Sequence, residues 1–174
     1  MTQAPQFSAD ISVRPSRPED APRLGQIQVL AWQAAGVFPS AVLDQADPDA
    51  FSEAWSQAIT NPPSAKHRML SACEGPTVVG FAALAPADDD TGEIVALEVD
   101  PHYVNKGHGS RLLAACTDIL KTTGASHVQA WALSEDYRRI DFYTAAGLAP
   151  VGVRRTLDTG DAPVIEQAYR AQFD

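Results

Sequence analysis

Cysteine is scarce in this chain. Cys73 and Cys116 are the only two in 174 residues, and both fall in apolar-rich segments. A disulfide framework is not expected; reduced thiols inside a core are. Basic residues are also short. Thirteen Lys and Arg stand against 22 Asp and Glu, a formal net charge of −9. Nucleic acid needs a basic face, so that class of partner is excluded. The balance suits a cationic or neutral substrate. No apolar run approaches the ~18 residues of a membrane span. The first ten residues are polar and lack the basic start and apolar centre of a secretion leader, so cytoplasm is the expected compartment. His67, His102, His108 and His127 are scattered without ligand spacing, which argues against zinc. Asp88-Asp89-Asp90 lacks the ordered ligand spacing of a calcium loop, so no metal is expected. Neither a Gly-x-Ser-x-Gly elbow nor a Gly-x-x-x-x-Gly-Lys-Ser/Thr phosphate loop is present.

What is present fits one ordinary domain. The chain is 45% apolar and 20% charged, near globular averages, and long enough to bury a sizeable core. Residues 1–10 read as a flexible N-terminus and 11–174 as a single domain. Residues 11–15 alternate apolar and polar, as a half-buried strand does. Leu24, Ile27, Leu30 and Ala31 recur at helical spacing, which predicts a helix over 21–34. Residues 39–49 read as a loop. A second helix is expected over 49–59, stopped by Asn61-Pro62-Pro63. Strands 66–72 and 77–84 make a hairpin across Glu74-Gly75-Pro76. A strand over 93–99, a helix over 110–121, and a strand over 127–133 follow. Ser134 is a good N-cap for a helix running to 146. Strands 151–157 and 164–171 close the chain across Asp158-Thr159-Gly160-Asp161. The order is that of a mixed α/β domain with one central sheet.

The chain is organised around residues 99–113. A buried strand ends at Val99, and Asp100-Pro101 stops it, because proline has no N–H for a ladder. Asn105-Lys106-Gly107-His108-Gly109 then runs into a helix that becomes apolar at Leu112-Leu113. The first N–H groups of a helix have no internal partner, and its dipole adds positive potential there. Two glycines leave those groups approachable, so the turn is a candidate phosphate seat.

This stretch resembles motif A of the GNAT superfamily of acyl-CoA-dependent N-acetyltransferases, (Arg/Gln)-x-x-Gly-x-(Gly/Ala), here Val104 to Gly109. Val104 stands where the family most often has Arg or Gln. Asp141-Phe142-Tyr143-Thr144-Ala145-Ala146-Gly147-Leu148 resembles motif B. The resemblance covers nearly the whole chain. It implies the GNAT fold, of class α/β (α+β): a mixed, mostly antiparallel sheet of about six to seven strands, flanked by about four helices, with splayed central strands. It also implies acetyl-CoA as co-substrate, with its pyrophosphate on Val104, Asn105, Lys106, Gly107, His108, Gly109 and Ser110. Backbone groups of Leu97 and Val99 would pair with the pantetheine arm. Asp136 stands where members often carry an Asn beside that arm. Coenzyme A is polyanionic, so its site must be locally positive; Lys106, Arg111, Arg138 and Arg139 are nearby sources.

The activity implied is acetyl transfer from acetyl-CoA directly to a primary amine of a small molecule or peptide. Tyr143 takes the family's role of acid toward the departing thiolate, a step an O–H donor assists. The amine must lose a proton, and two carboxylates lie on the strand over 93–99. Glu93 and Glu98 have opposite parity, so a regular strand faces them to opposite sides; a bulge would change this. Glu93 is the expected base, with Glu98 as a group recognising the substrate's charge. Trp32 and Phe38 would wall the acceptor pocket, against the plainer role of core packing. The rival reading is a non-catalytic module of the same fold that binds acyl-CoA or a metabolite. A homodimer is left open.

Overall fold

The computed structural model describes residues 10–160 and 163–174. Its seven strands form one sheet in the order β1-β2-β3-β4-β5-β7-β6: β1 (Ile11–Pro15), β2 (Arg68–Glu74), β3 (Thr77–Pro86), β4 (Thr91–Val99), β5 (His127–Leu133), β6 (Ala149–Leu157) and β7 (Val164–Gln172). Only β4 and β5 run parallel; every other pair is antiparallel. The helices are α1 (Ala21–Ala35), α2 (Ser40–Gln45), α3 (Pro48–Thr60), α4 (His108–Thr122) and α5 (Tyr137–Ala145). Their number is one more than expected. The extra one is α2, a helix of six residues in the segment expected to be a loop, too short for a periodic apolar signal.

The helices cover the two faces of the sheet. Leu112, Leu113, Cys116 and Leu120 of α4 enter a core with Val79, Ile94, Leu97, Val128 and Ala130, and Tyr143 of α5 joins it. Leu24 and Ile27 of α1 pack with Cys73, Val78 and Phe81 on the other face, and Trp55 of α3 lies against them. The two cysteines are free and buried, one in each cluster, as expected of core thiols. Burial pushes the Cys116 thiol up to about 12, which keeps it unreactive.

One local expectation changes. The α5 cap is Asp136, not Ser134: the Asp136 carboxylate accepts from the Arg139 backbone N–H at 3.1 Å. Between β6 and β7 the Gly160 N–H donates to Asp158 at 2.9 Å; Asp161 of that predicted turn lies outside the described residues, as do residues 1–9 of the predicted N-terminus. The acidic loop before β4 is a turn, in which one Asp88 oxygen accepts from the N–H groups of Asp90 and Thr91.

Two irregularities in β4 position the site. Ala83 pairs with Ala96 but Leu84 with Ile94, so Val95 is an extra residue against β3, a β-bulge. Pairing of β4 with β5 covers only Thr91–Ile94 against His127–Ala130. Beyond the bulge the parallel strands part. Each keeps its antiparallel neighbour, and a gap opens between them.

Candidate active site

The candidate phosphate seat is assembled at the end of β4. Asp100 stops the strand and caps the turn over Pro101–Tyr103 by accepting from the His102 N–H at 2.9 Å. Asn105 has φ 61°, the only left-handed non-glycine among the described residues; Asn tolerates this conformation better than most side chains do. Gly107 has φ 86° and occupies the α4 cap position, with no side chain hydrogen-bonded across the helix start. The first-turn N–H groups there have no side-chain partner, as an anion site requires. A Cβ on Gly107 would lie 3.0 Å from the Arg111 guanidinium, which itself donates to the Lys106 carbonyl at 3.1 Å. Ser110 is exposed on the first turn of α4, and Val104 is exposed beside the seat.

His108 points the other way, into the protein. It is buried, and its Nε2 lies 2.8 Å from Glu74 Oε1 at the end of β2. Lys106 reaches the same carboxylate at 3.5 Å. The Glu74 carboxyl is lowered chiefly by its hydrogen bond with His108. This pairing ties the turn to the sheet, and it leaves His108 Nδ1 buried without a partner.

The gap between β4 and β5 connects the two faces. Asp100 donates its N–H to Val79 on β3 at 2.8 Å. Backbone direction alternates along a strand, so the polar groups of Leu97 and Val99 face the gap. Arg139 of α5 donates to the Leu97 carbonyl at 2.9 Å, which confirms that direction.

A cavity of about 160 Å³ lies at the gap. Trp32 and Phe38 form one wall, with rings stacked 4.4 Å apart. Trp131 and Leu133 of β5 form another, and Tyr143, Glu98, Asp136 and Arg139 border it from α5 and β4. Tyr143 thus belongs to the α4-side core and also borders a space shared with α1. Only the parting of the strands allows that.

Arg139 organises the polar end. Its guanidinium bonds Glu98 at 2.8 Å and lies 3.4 Å from Asp136, besides the Leu97 carbonyl. Its positive charge also acts on the nearby Tyr143 hydroxyl. Burial raises the Glu98 carboxyl, and the guanidinium opposes this. Burial likewise raises the Tyr143 hydroxyl, against the same cation. Burial works against the charge on Arg139, but the Glu98 and Asp136 carboxylates outweigh it and keep the guanidinium charged.

The bulge decides the carboxylate geometry. With Val95 looped out, Glu93 and Glu98 lie on the same face, contrary to a regular strand. Glu93 is not part of the cavity lining. Its Oε1 accepts from Gln129 Nε2 at 2.9 Å and from Trp131 Nε1 at 2.7 Å. It therefore stands behind the Trp131 wall, while Glu98 stands inside the cavity. Sequence reasoning missed two residues here. Arg139 was counted only as a cation near the coenzyme, although its spacing of three from Asp136 on a helix places the two side by side. Trp131 shares strand parity with Leu133, a signal that marks a face but not a cavity.

A sequence model described as the acetyltransferase (GNAT) family matches residues 27–148. The chain belongs to the GNAT family. Among curated relatives, it is 32% identical over 118 residues to a mycothiol acetyltransferase of Rhodococcus erythropolis, covering 66% of this chain and 38% of that protein. It is 42% identical over 65 residues to the mycothiol acetyltransferase of Thermobispora bispora, covering 37% of this chain and 20% of that protein. The chain thus aligns with well under half the length of these relatives. Among solved structures, the PaiA N-acetyltransferase of Thermoplasma acidophilum in complex with coenzyme A superposes with a TM-score of 0.78 at 19% identity, covering 94% of this chain and 99% of that one. YncA of Salmonella typhimurium with acetyl-CoA gives 0.70 at 20% identity, covering 95% of each chain. These likenesses establish the GNAT fold, including its open sheet of seven strands.

Proposed function

We propose that this GNAT chain transfers an acetyl group from acetyl-CoA directly to a primary amine of a small molecule or peptide. The observation that carries the reading is the line from the uncapped start of α4, along the gap-facing backbone of Leu97 and Val99, to the Tyr143 hydroxyl at the cavity. The residues fit the co-substrate: the helix start is bare, and glycine supplies the left-handed turn. Residues 104–110 would hold the pyrophosphate, and Asp136 lies at the end of the gap where the pantetheine arm would pass. Bound acetyl-CoA supplies an acyl carbon already activated as a thioester.

The protein's share is positioning and proton transfer. The Leu97 or Val99 N–H, fixed in the gap, stabilises charge developing on the acyl oxygen. Glu93 takes one proton from the ammonium through water, since Trp131 separates it from the cavity. The amine nitrogen then bonds the acyl carbon as the carbon–sulfur bond breaks. Tyr143 gives its proton to the sulfur and is refilled from the second proton the nitrogen sheds. One proton leaves to solvent overall. Arg139 holds the tyrosine hydroxyl and Glu98 in register.

Gly107→Val tests the seat. A β-branched side chain at φ 86° is strained and meets Arg111. Acetyl-CoA affinity by calorimetry should fall at least about a hundredfold, as expected for losing charge-assisted bonds, with thiol release in an amine panel falling in step. Unchanged affinity would refute the seat. Coenzyme binding without thiol release would favour the rival reading of a binding module.

A further inference from the structure

We infer that the acceptor is a compact aromatic amine that carries no carboxylate, with its ring against Trp32, Phe38 and Trp131 and its ammonium group drawn to Glu98. The inference rests on the acetyl-transfer reading above and deepens it to a substrate class.

Charge is the first argument. Three carboxylates border the cavity, those of Glu98, Asp136 and Glu166, with a single guanidinium, Arg139, among the lining residues. That guanidinium already has three partners in the protein. It bonds Glu98 at 2.8 Å and the Leu97 carbonyl at 2.9 Å, and faces Asp136 at 3.4 Å. Arg155, the next cation, lies 4.1 Å over the Trp131 ring and bonds Glu166 at 2.6 Å. Two cations thus answer three anions, and each is already paired with a carboxylate of the protein. An amino acid would set its carboxylate one carbon from the reacting nitrogen, beside Glu98 and Asp136, where burial strengthens repulsion. An ammonium without that group meets the uncompensated negative charge.

Shape is the second. Trp32 and Phe38 are stacked and half-buried, and Phe51 abuts Trp32 edge-on at 5.1 Å. Trp131 is fixed from two directions, by Glu93 on its N–H at 2.7 Å and by Arg155 on its ring. These rings give a cavity with a charged end an aromatic wall. A flat ring gains contact on them without reordering side chains, and its ammonium group also gains from nearby ring faces.

Matched pairs isolate the missing carboxylate. Tryptamine and tryptophan, and tyramine and tyrosine, differ in that group alone. With the full chain and acetyl-CoA, thiol release and product mass should give kcat/KM at least about a hundredfold higher for each amine than for its amino acid. Glu98→Gln should cut that preference about tenfold, chiefly through the KM of the amine. Trp32→Ala, away from the buried charges, should raise the KM of tryptamine about tenfold. Equal use of tryptamine and tryptophan, or turnover of amino acids or peptides with neither aromatic amine accepted, overturns the inference and leaves acetyl transfer standing. Acetyl-CoA binding with no amine of the panel acetylated also overturns it. Failure of acetyl-CoA to bind in calorimetry overturns both together.

Discussion

Tyr143, the proposed acid, is also a packed core side chain. It is 1% exposed, surrounded by core on one side and bordering the cavity on the other. Burial favours the neutral phenol, and Arg139 nearby makes the phenolate tolerable for a moment. A raised pKa keeps the proton in place through neutral pH. The sign follows: an acid needed in its protonated form loses activity only as pH rises through its pKa, here above the ordinary value of 10.0. Tyr143→Phe should lower kcat about a hundredfold and leave acetyl-CoA affinity within about twofold, since the phenol acts only as the sulfur departs. It should also remove the alkaline limb of the kcat profile. Wild-type turnover in this variant would end the acid role. Motif B made the tyrosine legible in sequence. Its guanidinium partner became visible only once α5 was docked beside β4.

At the scale of elements, the α1 side of the cavity depends on how closely α1 and α3 approach. Gly25 of α1 makes that approach possible. A Cβ there would stand 2.3 Å from the Pro48 carbonyl oxygen and 2.1 Å from Ser52 Oγ, both on α3. The carbonyl is backbone and cannot rotate away, so the helices would have to separate. Gly25→Ala should therefore destabilise by about 1–3 kcal/mol, although alanine is the better helix former. Thermal unfolding checks this, and an unchanged or raised Tm would show that α3 moves freely. The same separation would pull Trp55 from the Gln28 side chain it bonds at 3.0 Å, at the edge of the cavity. Periodicity announced both helices. It could not announce that a glycine within one is a packing device, because that depends on the partner helix.

Over the whole molecule, the excess of acid is handled by pairing. Asp20 is buried at the start of α1, where Arg14, the Arg17 N–H and Ser71 all donate to it. Asp100 is buried at the end of β4 with Arg23 and His102. In both, burial works to raise the carboxyl, but the summed hydrogen bonds and cations win and lower it from 3.8. Depressed carboxylates contribute stability above their ordinary pKa and lose it as pH falls through the folded one. Glu98, raised from 4.5, has the opposite sign: its ionisation costs stability above that value, and acid relieves it. Asp20 and Asp100, joined by the lowered carboxyls of Glu74 and Asp88, oppose Glu98 alone, so the urea midpoint should hold near neutrality and fall below about pH 4. Asp100→Asn should start lower at neutral pH and decline less steeply. A variant as steep as wild type would remove Asp100 from the account.

The sequence by itself determined every strand and helix but α2, their order, the glycine turn before α4 and the motif tyrosine. Those follow from local rules: periodic apolar faces, a proline after a strand, glycines before a helix. Trp32 and Phe38, expected to wall the acceptor pocket, border the cavity. Tertiary structure alone decided three things. The bulge at Val95 put Glu93 and Glu98 on one face, because one extra residue reverses strand parity. The parting of β4 and β5 opened the sheet, because pairing is a property of two strands and not of either. Arg139 became the centre of the polar cluster because folding buried three acceptors within its reach, and a buried guanidinium must satisfy its donors wherever the fold provides them.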